Sequence, residues 1–396
     1  MFQSFFLAGF ECATGYNVHR EWFDQIAITQ HDKHVDEDYR RLQEAGLFAT
    51  REGIRWPCVD VRGRYNFDSI LPFLEAGWKH GIEIIWDLFH YGYPNDIDIF
   101  SEAFPRRFAE YCHATAEFLR HHQEGPFFFT PVNEPSFFAW SAGDVARFAP
   151  HCTGRATDLK IALARAGIQG INAIRSVIPQ ARIVNVDPIC NVVAPADRPD
   201  LAAQVDHFNH EAVFESLDML SGRMLPELGG SREHLDIAGI NYYWTNQWEF
   251  GRDEHPLSDN DARRISLGDL VRRVFNRYGG DLMITETAHV DGMRPAWLSY
   301  VADETKALLL EGVPLRGVCL YPILAMPEWH LPGQWTHMGL WDLDYGEPHL
   351  PRKIYTPMLK ALKNAQKLHR DKLRCELRKS PDVWIFDALV GVPAHF

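Results

Sequence analysis

The chain has 396 residues, with 40 Lys+Arg against 53 Asp+Glu and a formal net charge of -13. At 46% hydrophobic and 23% charged it is too apolar to stay disordered, and its acidic balance opposes docking on nucleic acid or on an anionic membrane surface. The 12 tryptophans are the unusual count; they suit core packing or a wet cleft walled by flat, half-apolar faces.

In chain order, the opening MFQSFFLAGFECA lacks a basic start and an adequate apolar segment before Glu11, so it reads as a first strand and not as a leader. Eight short apolar runs follow one another: Phe5–Phe10, Ala49–Trp56, Glu83–His90, Phe127–Val132, Arg182–Val186, Asp236–Tyr243, Leu282–Thr285 and Arg316–Leu324. Helix-period segments separate most of them: Val35–Ala45, Ile70–His80, Pro105–His122, Asp158–Val177, Leu267–Arg277 and Trp297–Glu311. Leu201–Asp218 is helical in part, and Pro351–Leu368 supplies a closing helix. Apolar runs flanked by helices mark buried parallel strands. Eight such units specify an α/β chain folded as a (β/α)8 TIM barrel, one domain with long βα loops over residues 1–368. A doubly wound sheet is the alternative, but no Gly-rich phosphate loop follows any strand. Residues 369–396 form a C-terminal extension expected to pack on the barrel, with a basic amphipathic helix over Leu368–Lys379 that Pro381 ends. The seven cysteines are scattered and form no C-x-x-C pair, which argues against a disulfide framework or a zinc site. No run approaches a membrane span. The expectation is a cytoplasmic protein with no nucleic-acid or membrane partner; its oligomeric state stays open.

Barrel enzymes place their chemistry where strands end and βα loops begin. The first run ends at Glu11, the second contains Arg51, and the third ends in His90 and Tyr91. The fourth ends in T-P-V-N-E-P with Asn133 and Glu134, the sixth in Asn241, Tyr243 and Trp244, and the seventh in Glu286. Tyr321 lies in the eighth run, and Glu328 and Trp329 follow it. Strands four and seven face each other across the mouth of such a barrel. Two carboxylates facing across a cleft are what glycoside hydrolysis needs, one to protonate the leaving oxygen and one to attack the anomeric carbon or activate water. The acid needs a raised pKa, so Glu134 belongs among apolar groups such as Phe137, Phe138 and Trp140. The nucleophile belongs beside a cation, for which Arg51 is the candidate.

These motifs resemble those of the clan A retaining β-glycosidases, and most closely glycoside hydrolase family 1. The family's T-x-N-E-P appears as T-P-V-N-E-P with one extra residue, and its I/V-T-E-N-G as Ile284-Thr285-Glu286-Thr287-Ala288. Its strand-two pattern resembles Arg51–Trp56, its L-Y-H-W resembles Leu88–Tyr91, and its N-Y-Y and E-W are intact at Asn241–Tyr243 and Glu328-Trp329. The resemblance implies a retaining β-glycosidase working by double displacement, without metal or organic cofactor, on a small-molecule carbohydrate. It implies Glu134 as acid/base, Glu286 as nucleophile, Arg51 and Tyr243 as partners of Glu286, and Asn133 on the sugar 2-hydroxyl. His90 and Glu328 would bind other hydroxyls, and Trp329 and Tyr321 would supply an apolar platform. The Gln usual after strand one is missing, leaving Glu11 or Tyr16 in its place, and the Asn-Gly behind the nucleophile is absent. The carboxyl separation expected for retention is about 5–5.5 Å. A transglycosidase or another clan A hydrolase is the first alternative, and a catalytically silent sugar-binding barrel the second.

Blander assignments stand beside these. His31 and His34, and the pair His121-His122, lack a third ligand placed by spacing, so metal binding is not expected of them. Trp56 and Trp86 read as core, whereas Trp140, Trp244, Trp248, Trp329 and Trp335 read as cleft candidates. Asp87 reads as a brace of the barrel or a loop.

Overall fold

The computed structural model of the chain describes residues 2–253, 255–331 and 333–377, with side chains as far as residue 370. Its centre is a closed barrel of eight strands: β1 (Phe6–Gly9), β2 (Ala49–Gly53), β3 (Glu83–Asp87), β4 (Phe128–Thr130), β5 (Arg182–Pro188), β6 (Ile237–Asn241), β7 (Asp281–Thr287) and β8 (Leu315–Leu320). Each strand pairs in parallel with its neighbour in the chain, and Phe6 of β1 opposite Val318 of β8 closes the ring. All eight apolar runs therefore become barrel strands.

Side chains alternate across each strand. Leu7, Ala49, Ile85, Phe128, Val184, Ile237, Met283 and Cys319 fill the barrel interior. Their neighbours Phe6, Ala8, Ile84, Ile183 and Ile284 pack outward under the helices. On β2 this alternation sends Arg51 inward and Glu52 outward, where Glu52 meets His31 at 3.1 Å. The outer layer comprises α1 (His31–Ala45), α2 (Leu71–His80), α3 (Ala103–His122), α4 (Ala156–Val177), α5 (Ala202–His210), α6 (Glu215–Leu220), α7 (Leu267–Tyr278), α8 (Arg294–Leu310) and α9 (Thr356–Leu377). In α1 the spacing of buried Val35, Tyr39 and Leu42 lays one face on the barrel.

Leu201–Asp218, expected to be helical in part, forms α5 and α6 around a turn through Glu211–Phe214. Two details differ from the sequence expectation. The closing helix starts at Thr356, not Pro351, because Arg352–Ile354 pairs antiparallel with Trp341–Leu343. The short helix Pro135–Gly143 was not anticipated: most of its residues are buried, so it carries no amphipathic period. Of the expected extension, residues 378–396 lie outside the described residues. His369, at its start, is buried and stacks on Phe5 with ring centroids 4.5 Å apart. Among the described residues no helix is long and apolar enough to cross a membrane.

Candidate active site

The C-terminal ends of β2, β3, β4, β6 and β7 bring Glu134 and Glu286 together with a polar shell. Glu134 is 7% exposed and Glu286 4%. Both follow irregular strand pairing. Phe129 pairs with Ile183 and Asn133 bridges Val186, so four steps along β4 match three along β5 and one residue is extra. On β7, Ile240 pairs with Ile284 but Asn241 with Glu286, so Thr285 is the extra residue. Bulges re-aim side chains where a strand meets a site.

The two carboxylates have different partners. Glu286 Oε1 accepts from Arg51 Nη1 at 2.8 Å, and Oε2 from the Tyr243 hydroxyl at 2.8 Å. Glu134 meets only neutral donors: the Tyr91 hydroxyl at 2.6 Å on Oε2 and Asn241 Nδ2 at 2.8 Å on Oε1. Burial pushes the Glu134 pKa up to about 8, and the charge of Glu286 adds to that push against the two hydrogen bonds. The apolar surroundings come through Tyr91, whose ring stacks on Phe138 at 5.4 Å and meets Phe137 at 5.7 Å. Trp140 lies further out, against Phe137 and Arg147. Glu134 and Tyr91 both hold positive φ, 45° and 72°. Each such backbone costs roughly 1–3 kcal/mol and persists where surroundings over-determine it.

Arg51 is the hub. Its Nη1 also reaches the Thr285 carbonyl at 3.1 Å, while Nη2 donates to Asp87 Oδ2 at 2.6 Å and to Asn133 Oδ1 at 3.0 Å. Asp87 is thus a brace, but of Arg51 and of His90, whose Nδ1 lies 3.0 Å from Oδ2. Tyr321 lies parallel to the His90 ring at 6.0 Å, made possible by Gly9: a Cβ there would stand 2.2 Å from Tyr321 Cδ2. Glu11 is buried, accepts from the Ala13 amide at 3.0 Å and lies 3.8 Å from His90 Nε2. Burial raises its pKa, partly offset by His90. Tyr16, its alternative, is bonded to Asn95 instead.

The remaining expected residues form the rim. Trp329 packs edge-on against Tyr91 at 5.7 Å and beside Phe148 at 5.6 Å. Glu328, half-buried, accepts from Thr336. Trp244 stacks on His289 at 4.5 Å. Trp248 and Trp335 pair with Phe208 and Tyr345, so they are not brought into this shell. Trp56 and Trp86 are core, as expected. His31 is enclosed by Asp38 and Glu52, and His121 and His122 bond helix carbonyls. Sequence reasoning missed Cys12, beside His90, and Asp187. The Asp187 carboxylate accepts from the Ser136 amide and hydroxyl at 3.0 and 2.6 Å, anchoring the helix that follows Glu134. Burial holds Asp187 up at about 6.

The fold is a closed (β/α)8 barrel with two buried carboxyls, Glu134 and Glu286, at the C-terminal ends of its strands. No family model and no curated protein matches the sequence. Solved structures match in fold. The family 1 β-glucosidase from Thermotoga maritima superposes with a TM-score of 0.73 at 16% identity, over 92% of this chain and 98% of that one. A β-glucosidase from the same organism gives 0.71 at 17% identity in complex with castanospermine and 0.72 at 16% with deoxynojirimycin, with the same coverage. At that identity the likeness establishes the fold: this chain has the barrel of the family 1 β-glucosidases across nearly their whole length.

Proposed function

We propose that the chain is a retaining β-glycosidase acting on β-linked oligosaccharides or glycoconjugates. The observation that carries this reading is the opposite environment of two adjacent carboxyls: Glu134 buried among neutral donors with its pKa near 8, and Glu286 held by a guanidinium and a phenol. In this reading protonated Glu134 gives its proton to the leaving glycosidic oxygen while Glu286 attacks the anomeric carbon. The covalent ester removes the Glu286 charge, one of the causes that raise Glu134. With that push removed Glu134 stays ionised after giving up its proton, takes a proton from water as general base, and the water opens the ester with net retention. Asn133 and His90 bind sugar hydroxyls, Glu11 takes the place of the family's Gln, and Glu328 and Trp329 complete the innermost subsite, with Tyr321 behind it. Tyr91 and Asn241 act on Glu134, and Trp244 belongs to the outer wall. The absence of nucleic-acid and membrane partners and a cytoplasmic location belong to the same proposal.

A 2-fluoroglycosyl fluoride should add one glycosyl mass to the intact protein, mapped by peptide sequencing to Glu286. A screen of aryl β-glycosides (glucoside, galactoside, mannoside, fucoside, xyloside) identifies the sugar. Unchanged hydrolysis by Glu286→Gln would overturn the assignment. Product analysis with added sugar acceptor separates hydrolysis from transfer.

A further inference from the structure

Cys12, from the end of β1, and Asp87 and His90, from the end of β3, form a compact group that hydrolysis does not need as a whole. Cys12 Sγ lies 3.2 Å from His90 Nδ1, and Nδ1 lies 3.0 Å from Asp87 Oδ2. One ligand atom from each of the three falls within 4.8 Å of the others, and all three residues are buried. Among the described residues this is the one cluster of three His, Cys, Asp or Glu side chains with such geometry. A second observation points the same way. Asp87 Oδ2 is taken by Arg51, but Oδ1 is buried with no hydrogen-bond partner, an arrangement that costs about 1–3 kcal/mol unless something occupies it.

We propose that Cys12, His90 and Asp87 form a three-ligand site for a thiophilic divalent cation of the zinc type at the floor of the barrel mouth. Tetrahedral zinc, with Zn–S near 2.3 Å and Zn–N and Zn–O near 2.0–2.2 Å, sets its ligand atoms roughly 3.4–3.6 Å apart. The observed 3.2 Å between Cys12 Sγ and His90 Nδ1 needs only a few tenths of an ångström of spreading, and one ligand atom of each of the three residues lies within 4.8 Å of the others. The cation replaces the thiol proton, binds Nδ1 of neutral His90 and takes the unpartnered Oδ1 of Asp87, leaving Oδ2 to Arg51. The His90 proton then resides on Nε2, where Asn133 Nδ2 at 3.1 Å gives up its contact and Glu11, at 3.8 Å, accepts. A carboxylate behind a metal-bound imidazole is the usual supporting arrangement. Cys12, Asp87 and Glu11 offer up to three negative charges around the cation, which favours a dication over a monovalent ion. A bound cation locks His90, which the proposed function assigns to a sugar hydroxyl, so loading should be inhibitory.

The test is independent of any glycosidase activity. Untagged, metal-free full-length protein is titrated with Co²⁺ and followed by absorption. The expected result is a sulfur-to-cobalt charge-transfer band in the near ultraviolet with tetrahedral d–d bands, reaching a plateau at one equivalent, bleached by Zn²⁺ and absent in Cys12→Ser. A weak octahedral spectrum alone, or a charge-transfer band that survives in Cys12→Ser, overturns the site. If Cys12→Ser does not fold, zinc X-ray absorption on the wild-type protein decides: one sulfur at about 2.3 Å among N/O ligands supports the site, and a shell without sulfur overturns it.

Discussion

Tyr91→Phe isolates what the hydrogen bond from Tyr91 does to Glu134. The Tyr91 hydroxyl donates to Glu134 Oε2 at 2.6 Å inside a buried site, and this bond pulls the pKa down against the larger push from burial. A hydrogen bond to a charged group contributes about 1.5–3 kcal/mol, and one pKa unit corresponds to about 1.36 kcal/mol, so deleting the hydroxyl should raise Glu134 by roughly one to two units. The acid is active while protonated, so the alkaline limb of kcat/KM, expected near 8 in the wild type, moves upward in the variant. The assay is a pH profile of kcat/KM on a β-glycoside with a poor leaving group, paired with a ¹³C-carboxyl titration of labelled Glu. A limb that stays in place, or moves toward the ordinary carboxylate range, refutes the reasoning, because it means that Tyr91 does not stabilise the ionised form.

Other outcomes follow from the same geometry. Glu134→Ala should cut turnover of substrates with poor leaving groups by about 10²–10⁴-fold and spare activated aryl glycosides more, with azide restoring rate and giving a glycosyl azide of retained configuration. Gly9→Ala, whose Cβ would stand 2.2 Å from Tyr321 Cδ2, should force Tyr321 off His90, costing about 1–3 kcal/mol in denaturant unfolding and raising KM. Burial opposes a charge on His31, but Glu52 and Asp38 outweigh it and carry the pKa up to about 9. The stability this gives is fully present below the unfolded value near 6.5 and lost as pH rises through 9, worth up to roughly 3 kcal/mol. Tm of the wild type should therefore drop between pH 7 and 10 more than that of His31→Gln.

The barrel was legible because parallel strands buried on both faces must be continuous apolar runs, and each run became one strand. Positions at strand ends were legible for the same reason: the end of a run fixes where Glu134 and Glu286 stand. What periodicity does not encode is the departure from it. Neither the β7 bulge nor the irregular pairing after β4 can be read from the hydrophobic pattern. Tyr91 read as a residue at the end of the third run, yet its backbone has positive φ and its hydroxyl donates to Glu134. Asp87 read as a brace, but its partner Arg51 is on the neighbouring strand, beyond the reach of local pattern. The meeting of Cys12 with Asp87 and His90 is not visible in cysteine spacing, because it arises only where the ends of β1 and β3 come together.

The end of β6 shows how one strand can serve two carboxyls with different tasks. Asn241 ends β6 and Tyr243 follows two residues later in the loop. Asn241 donates to Glu134 and Tyr243 to Glu286, so this segment lies between the pair and feeds a neutral donor to each. The difference between the carboxyls therefore does not come from β6. It comes from β2, which sends Arg51 to Glu286 alone, and from β3, which sends Tyr91 to Glu134 alone. Shifting β6 by one residue would strip a donor from both carboxyls at once, and the pairing shift at Ile240/Asn241 is what sets that register. Single deletions on β6 should thus perturb both steps of the proposed reaction, whereas Arg51 and Tyr91 variants should each act mainly through one carboxyl.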